Sequence, residues 1–331
     1  MGDVKALVTA EFPPAALDEL AGLGYEPIHA GWGVTRRVLN RAELVAALPG
    51  ASILICELER VDAAVLDAAP SLQLVASCRG DPANVDVAAA DERGVVVLSA
   101  PGRNAVSVAD FTMGLLLAHA RRICGAQAQL RESGWMTEGE LPYFHFRGPE
   151  LAGRTIGLIG LGAIGRLVAR RALGFDLSVL AHDPFVPEAP AGVGLVPLDD
   201  LLDRSDILSI HCPLTPTTLG LIGRRELERL GRDAIVVNTA RAAVIDEAAL
   251  LDALRSEAIA GAALDVFWEE PLPQDHPIRD LPNVTITPHV AGAADDVPRH
   301  HARLILDDIA RWRAGKPLEH AVPAAASGGP A

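Results

Sequence analysis

The chain has 331 residues, half of them hydrophobic, and a mass of 34.8 kDa. That exceeds the size at which one core stops growing, so two domains are expected, with about three quarters of the unfolded surface buried and no need for disulfides or metals. The 43 Asp and Glu against 29 Lys and Arg give a net charge of −14, scattered rather than blocked, which repels phosphate backbones and excludes general nucleic-acid or anionic-membrane binding.

Cys56, Cys78, Cys124 and Cys212 form no C-x-x-C pair and no zinc-type spacing with histidine, so reduced thiols and no metal are expected. The longest apolar stretch, around residues 111–120, is about half of the ~20 residues of a membrane helix. The start carries Asp3 where a secretion signal would be basic, and Ala6 where a myristoylation signal wants Ser or Thr; a cytoplasmic protein is expected.

Short apolar, β-branched runs alternate with Ala/Leu-rich amphipathic segments, the pattern of βα units feeding a parallel sheet, so the fold class is α/β. In the first hundred residues, strands are expected at 6–9, 25–28, 52–56, 74–77 and 95–98, with helices such as 15–23 and 63–69 between them. Pro101-Gly102 breaks the series, and 104–121 reads as one long helix with apolar Val108, Phe111, Leu115, Leu116 and Ala118. A polar, aromatic loop is expected over 133–148, with Tyr143, Phe144, His145 and Phe146 either reaching toward a cleft of another subunit or, the better reading, packing in an interface.

A second series follows at 155–159, 178–181, 207–210, 235–238, 262–265 and 285–287, six strands, the number in a full dinucleotide fold. After Gly292 a last helix, 297–313, has no strand of its own and is expected to pack on the first unit. The Ala/Gly/Pro-rich tail, 321–331, reads as disordered.

Gly160-Leu161-Gly162-Ala163-Ile164-Gly165 lies between the strand 155–159 and a helix reaching about residue 172. A G-x-G-x-x-G string is weak by itself, and a merely tight turn is its bland reading. In this context the first glycine permits the turn, the second admits a pyrophosphate to the helix N-terminus, and the third lets helix meet strand. Asp183 stands eighteen residues after Gly165 at the next strand's end, where a carboxylate grips the ribose hydroxyls and repels a 2′-phosphate, favouring NAD over NADP. Its alternative is a turn aspartate.

A dehydrogenase needs a cation for an anionic substrate and a general acid/base at the sheet's C-terminal edge. Three strand ends offer candidates: Thr239-Ala240-Arg241, Asp265 with Glu270, and Pro288-His289. A guanidinium can fork onto a carboxylate, and a carboxylate beside an imidazole stabilises its charged form. Singly, each residue is as readily a surface salt bridge, a structural histidine or a solvated loop.

Together these residues resemble the D-isomer-specific 2-hydroxyacid dehydrogenases. The resemblance runs from Val61 to about Pro317 and is carried by Gly160 to Gly165 with Asp183, His211-Cys212-Pro213-Leu214-Thr215, Val237 to Arg241, Ala263 to Phe267 with Glu270-Pro271-Leu272, and Pro288-His289. It implies two doubly wound domains: a Rossmann NAD-binding domain over 101–291, inserted in a smaller flavodoxin-like substrate, or lid, domain of 1–100 and 292–320. It also implies a homodimer built around the long helix after Pro101, and a small anionic 2-hydroxy or 2-oxo acid as substrate.

Carried over, Arg241 binds substrate, His289 exchanges the proton and Glu270 orients and charges it. Asp265 holds the nicotinamide end, and His211, Cys212, Pro213, Thr218, Thr239, Ala240, His289 and Gly292 line the cofactor beside Gly160, Gly162, Ala163, Ile164, Gly165 and Asp183. The chain departs from the family pattern with Ala242 after Arg241, with Val290 to Ala294 after His289, and in the lid loop Cys78 to Asp86. There Arg79, Gly80 and Asp81 are candidate substrate contacts, with Arg79 either meeting a second anionic group or paired with Asp81 or Asp86. A ligand sensor that has lost turnover is the alternative function.

Overall fold

The computed structural model describes residues 4–135, 139 and 141–323. The expectation for the tail therefore lies, from residue 324 onward, outside the described residues, as do parts of the 133–148 loop. The chain divides into two compact units, one up to Asn104 and again from Ala294, the other Ala105–Ala293.

The first unit is a five-stranded parallel sheet of β1 (Val4–Val8), β2 (Tyr25–His29), β3 (Ala51–Cys56), β4 (Leu74–Ser77) and β5 (Val96–Leu98), in the order β2-β1-β3-β4-β5. That is the flavodoxin-like order. All of β3 is buried, as a parallel strand covered on both faces must be. The helix Val297–Arg313 joins this core through Ala302, Ile305, Leu306 and Ile309, which cluster with Ala6, Val8, Ile53 and Leu98. Its Asp308, 1% exposed, accepts from the backbone N–H of Glu319 (2.7 Å) and of His320 (2.9 Å) and so holds the following segment. That segment bridges antiparallel to β5 at Ala321.

The second unit has seven parallel strands: β6 (Thr155–Ile159), β7 (Ser178–His182), β8 (Val193–Leu195), β9 (Ile207–Ile210), β10 (Ile235–Asn238), β11 (Gly261–Leu264) and β12 (Val284–Ile286). Their order is β12-β11-β10-β9-β6-β7-β8. The six-strand expectation misses β8, three residues with a central glycine and no fully buried position, too short and too wet to stand out. The chain reverses its direction of winding at β6, which pairs with both β7 and β9. In open α/β sheets that switch point is where a ligand crevice forms.

The helix Ala105–Ala120 buries Val108, Ala109, Thr112, Met113, Leu115 and Leu116 and packs on the helix Ala163–Gly174 and on β10, β11 and β12. Beyond it, Ile123–Glu132 is helical, and Pro142–His145 forms one helical turn inside the expected loop. No described helix is long and apolar enough to cross a membrane.

Candidate active site

At the switch point the glycines behave as three different devices. Gly160 has φ +95°, and a Cβ there would lie 2.7 Å from the Cys212 nitrogen on the neighbouring strand's exit. A Cβ at Gly165 would lie 2.2 Å from the Gly160 oxygen, so helix and strand can approach only without it. Gly162 faces open space, with nothing within 4 Å of a Cβ. It is the N-cap of the helix Ala163–Gly174 and caps it with no side chain, leaving the first N–H groups, those of Ala163 and Ile164 included, for an anion.

Asp183, just past β7, is fixed against this turn. One carboxylate oxygen accepts from the Leu161 N–H at 2.8 Å, the other from the Phe185 N–H at 3.0 Å. Across the crevice, His211 is half-buried, and its Nε2 lies 2.8 Å from Ser209 Oγ. Burial pushes its pKa down to about 3, so the ring is neutral. Its Nδ1 is a buried polar atom without a partner among the described residues. Burial likewise pushes the Cys212 thiol up to about 11, which keeps it protonated. Thr218 Oγ1 accepts from the Thr215 N–H and donates to the Pro213 oxygen, each at 2.7 Å, tightening the loop that follows. An open glycine edge, uncapped amides, a positioned carboxylate and an orphaned polar atom fit a dinucleotide.

Three further strand ends converge on the same edge of the sheet. After β10, Asn238 closes its own turn, accepting from the Ala240 N–H (2.9 Å) and donating to the Arg241 oxygen (3.0 Å). Arg241 is exposed, and its only side-chain hydrogen bond among the described residues is Nη1 to the Ala240 oxygen at 2.7 Å. Its charge has no ionic partner in the described residues.

After β12, His289 takes a left-handed backbone, φ +53°, uncommon for a residue with a side chain. Its Nδ1 lies 2.6 Å from Glu270 Oε2, while Glu270 Oε1 accepts from the Phe267 N–H at 2.9 Å. The carboxylate is thus anchored to its own loop and directs the imidazole. Both side chains stay open to solvent, 50% for His289 and 37% for Glu270.

Asp265 directly follows β11. It is fully buried, and its carboxylate is turned toward the loop of His289. Oδ1 accepts from Thr287 Oγ1 (2.6 Å) and the Val290 N–H (3.0 Å), Oδ2 from the Ala291 N–H (2.7 Å). A carboxylate removed from water needs such donors, and here all three lie within 287–291. Asp265 therefore shapes the turn that carries His289 and leads into Gly292. Nothing in the residue pattern around Leu264-Asp265-Val266 signals this, because two of the three donors are backbone groups.

Arg79, Gly80 and Asp81 belong to the first unit, whereas this constellation belongs to the second. The Arg79 oxygen accepts from the Ala100 N–H at 2.7 Å. Its half-buried guanidinium makes no ion pair or hydrogen bond among the described residues. Asp86 is committed to capping the helix Val87–Asp91 through the Ala89 N–H, and Asp81 is exposed. The salt-bridge alternative for Arg79 is not formed. Among the described residues no group of three or more His, Cys, Asp or Glu could hold a metal ion.

Residues 113–291 match the family described as "D-isomer specific 2-hydroxyacid dehydrogenase, NAD binding domain". The chain is 37% identical to YoaD of Bacillus subtilis over 95% of its own length and 92% of that protein. It is also 37% identical to D-3-phosphoglycerate dehydrogenase of Archaeoglobus fulgidus, over 96% of this chain but only 59% of the relative. Among solved structures, the TT0316 protein of Thermus thermophilus superposes with a TM-score of 0.81 at 37% identity, covering 96% of this chain and all of that one.

Proposed function

The chain belongs to the D-isomer specific 2-hydroxyacid dehydrogenase family, and from that premise we propose that it interconverts a small D-2-hydroxy acid and its 2-oxo acid with NAD. The observation that carries the reading is the 2.6 Å contact between Glu270 and His289 on the sheet edge that also bears the unpaired Arg241 and the open glycine turn.

When bound, the nicotinamide supplies or accepts the hydride. Gly162, Ala163 and Ile164 offer backbone N–H groups to the pyrophosphate, and Asp183 takes the ribose hydroxyls while repelling a 2′-phosphate. Arg241 pairs in bidentate fashion with the substrate carboxylate and polarises the adjoining carbonyl. In reduction His289 Nε2 gives its proton to the carbonyl oxygen; in oxidation it takes the proton from the hydroxyl. Glu270 holds the Nδ1–H throughout and offsets the charge of the imidazolium.

The first unit is read as the substrate domain, and the unpaired Arg79 as the group that meets a second anionic substituent, such as a phosphate, phosphonate or second carboxylate. A homodimer is read from the second unit, where the segment leaving the helix Ala105–Ala120 exposes Ile123, Leu130, Tyr143 and Phe144, large apolar side chains that a partner would cover.

A panel of 2-oxo acids, with and without a second anionic group, followed by NADH and NADPH absorbance, tests the reading. At least one acid should be reduced, with NADH preferred, and Arg79→Ala should raise KM for the doubly anionic acids while sparing glyoxylate. No turnover of any acid with either cofactor would overturn the dehydrogenase reading. An unchanged KM in Arg79→Ala would remove the second anionic group.

A further inference from the structure

Thr112 is a polar residue in a face that is otherwise apolar. It is 1% exposed, halfway along the helix Ala105–Ala120, among buried Val108, Ala109, Met113, Leu115 and Leu116. A valine would fill the same volume, so the hydroxyl must be explained by what it bonds. Thr112 Oγ1 donates to the Val108 oxygen at 2.7 Å and lies 2.8 Å from Thr239 Oγ1.

The direction of this pair follows from counting protons. A hydroxyl has one proton to give, and a carbonyl can only accept; Thr112 spends its proton on Val108, so Thr239 must be the donor between the two hydroxyls. The relay runs from Thr239 to Thr112 to the Val108 oxygen. Thr239, 7% exposed, stands between Asn238, which closes the turn at the end of β10, and Ala240-Arg241. Asn238 fixes the turn's backbone from within and its backbone oxygen accepts from the Asp265 N–H, whereas Thr112 ties the Thr239 side chain to a separate helix. Because both hydroxyls are buried, breaking the contact leaves a donor unsatisfied, which costs more than the bond itself is worth.

We infer that Thr112 is a positioning residue: through Thr239 it fixes the turn from which Arg241 reaches its ligand. The catalytic consequence rests on the function proposed above, and the structural one does not. Thr112→Val keeps shape and removes the proton relay; Thr112→Ser keeps the relay and removes a methyl.

The test compares both variants in the whole chain by amide hydrogen exchange across 239–241, by NADH affinity, and by kcat and KM for whichever 2-oxo acid is reduced. Thr112→Val should speed exchange at 239–241 and raise KM, each about five- to tenfold, with β6 exchange within about twofold of wild type and NADH affinity weakened less than KM is raised. Thr112→Ser should restore both. Unaltered exchange and KM in Thr112→Val, or a serine variant as impaired as the valine one, would overturn the inference in favour of plain packing. Should Thr112→Val not fold, Thr239→Val interrupts the same contact from the other side and must speed exchange at 240–241. If no acid is reduced by the wild type, the dehydrogenase reading falls while the exchange arm still decides the role of Thr112.

Discussion

The two units contain the same structural opportunity and use it oppositely. Each has a parallel sheet whose first strand in the chain, β1 or β6, lies inside the sheet where the winding reverses and leads through a short turn into a helix. In the second unit that turn is Gly160 to Gly165, open at Gly162 and uncapped at the helix N-terminus. In the first it is Thr9-Ala10-Glu11-Phe12-Pro13, with Ala10 and Phe12 buried. The helix begins at Pro14, so two consecutive residues lack the N–H an anion would seek. Glu11 adds a negative charge, and its hydrogen bond from Arg36, with that guanidinium's attraction, holds its carboxyl below the usual range against the opposing effect of burial. The topology provides a switch point in both; the side chains decide which one is suited to a phosphate.

The contrast is broken most forcefully at the chemistry. His289→Asn should lower kcat by about 10²- to 10⁴-fold, the usual loss for a general acid, while NADH titration shows undiminished affinity. Normal turnover by that variant would mean that the second unit's edge is not organised around the imidazole.

A smaller effect sharpens the difference between the turns. Gly162→Ala meets no protein atom, so its melting temperature should match wild type, yet its Cβ enters the space assigned to the pyrophosphate and should weaken NADH binding roughly tenfold. Ala10→Gly in the first unit should leave NADH binding untouched. Equal responses at the two positions would erase the functional distinction.

The smallest effect is on acid stability. Burial, reinforced by Arg122, pushes His119 down to about 4, and burial takes His211 to about 3. Well above the ordinary histidine pKa of about 6.5 these side chains are neutral folded or unfolded. Below it the unfolded chain takes up protons that the folded one refuses, so stability falls with pH until the folded values are reached. Each contributes a slope of at most about 1.4 kcal/mol per pH unit. Urea denaturation from neutral pH down to the folded value of His119, about 4, should therefore show a shallower loss in His119→Asn than in wild type.

Most of the architecture was legible because parallel strands are buried on both faces and read as apolar runs. The helix Val297–Arg313 was legible as a last helical segment with no strand of its own to pair with. The glycine turn carried meaning through its position between strand and helix, and Arg241, Glu270 and His289 through their shared resemblance to one family. What remained hidden has a common physical character. The left-handed backbone of His289, the loop-holding bonds of Asp265 and the proton direction fixed at Thr112 all depend on backbone conformation or on backbone groups as bonding partners, which leave no pattern in side-chain order. β8 was missed for another reason: three residues around a glycine offer too little apolar surface to be distinguished from a turn.

Asp308 gives the end of the chain a mechanical duty. The residues it grips, Glu319 and His320, are those that lay Ala321 along the outer margin of β5. Ending the polypeptide before Glu319 would strand a sequestered negative charge without donors and bare a row of strand amides and carbonyls, the template on which chains adhere to one another. Purification tags or fused partners thus belong downstream of Val322, where they leave this guard in place.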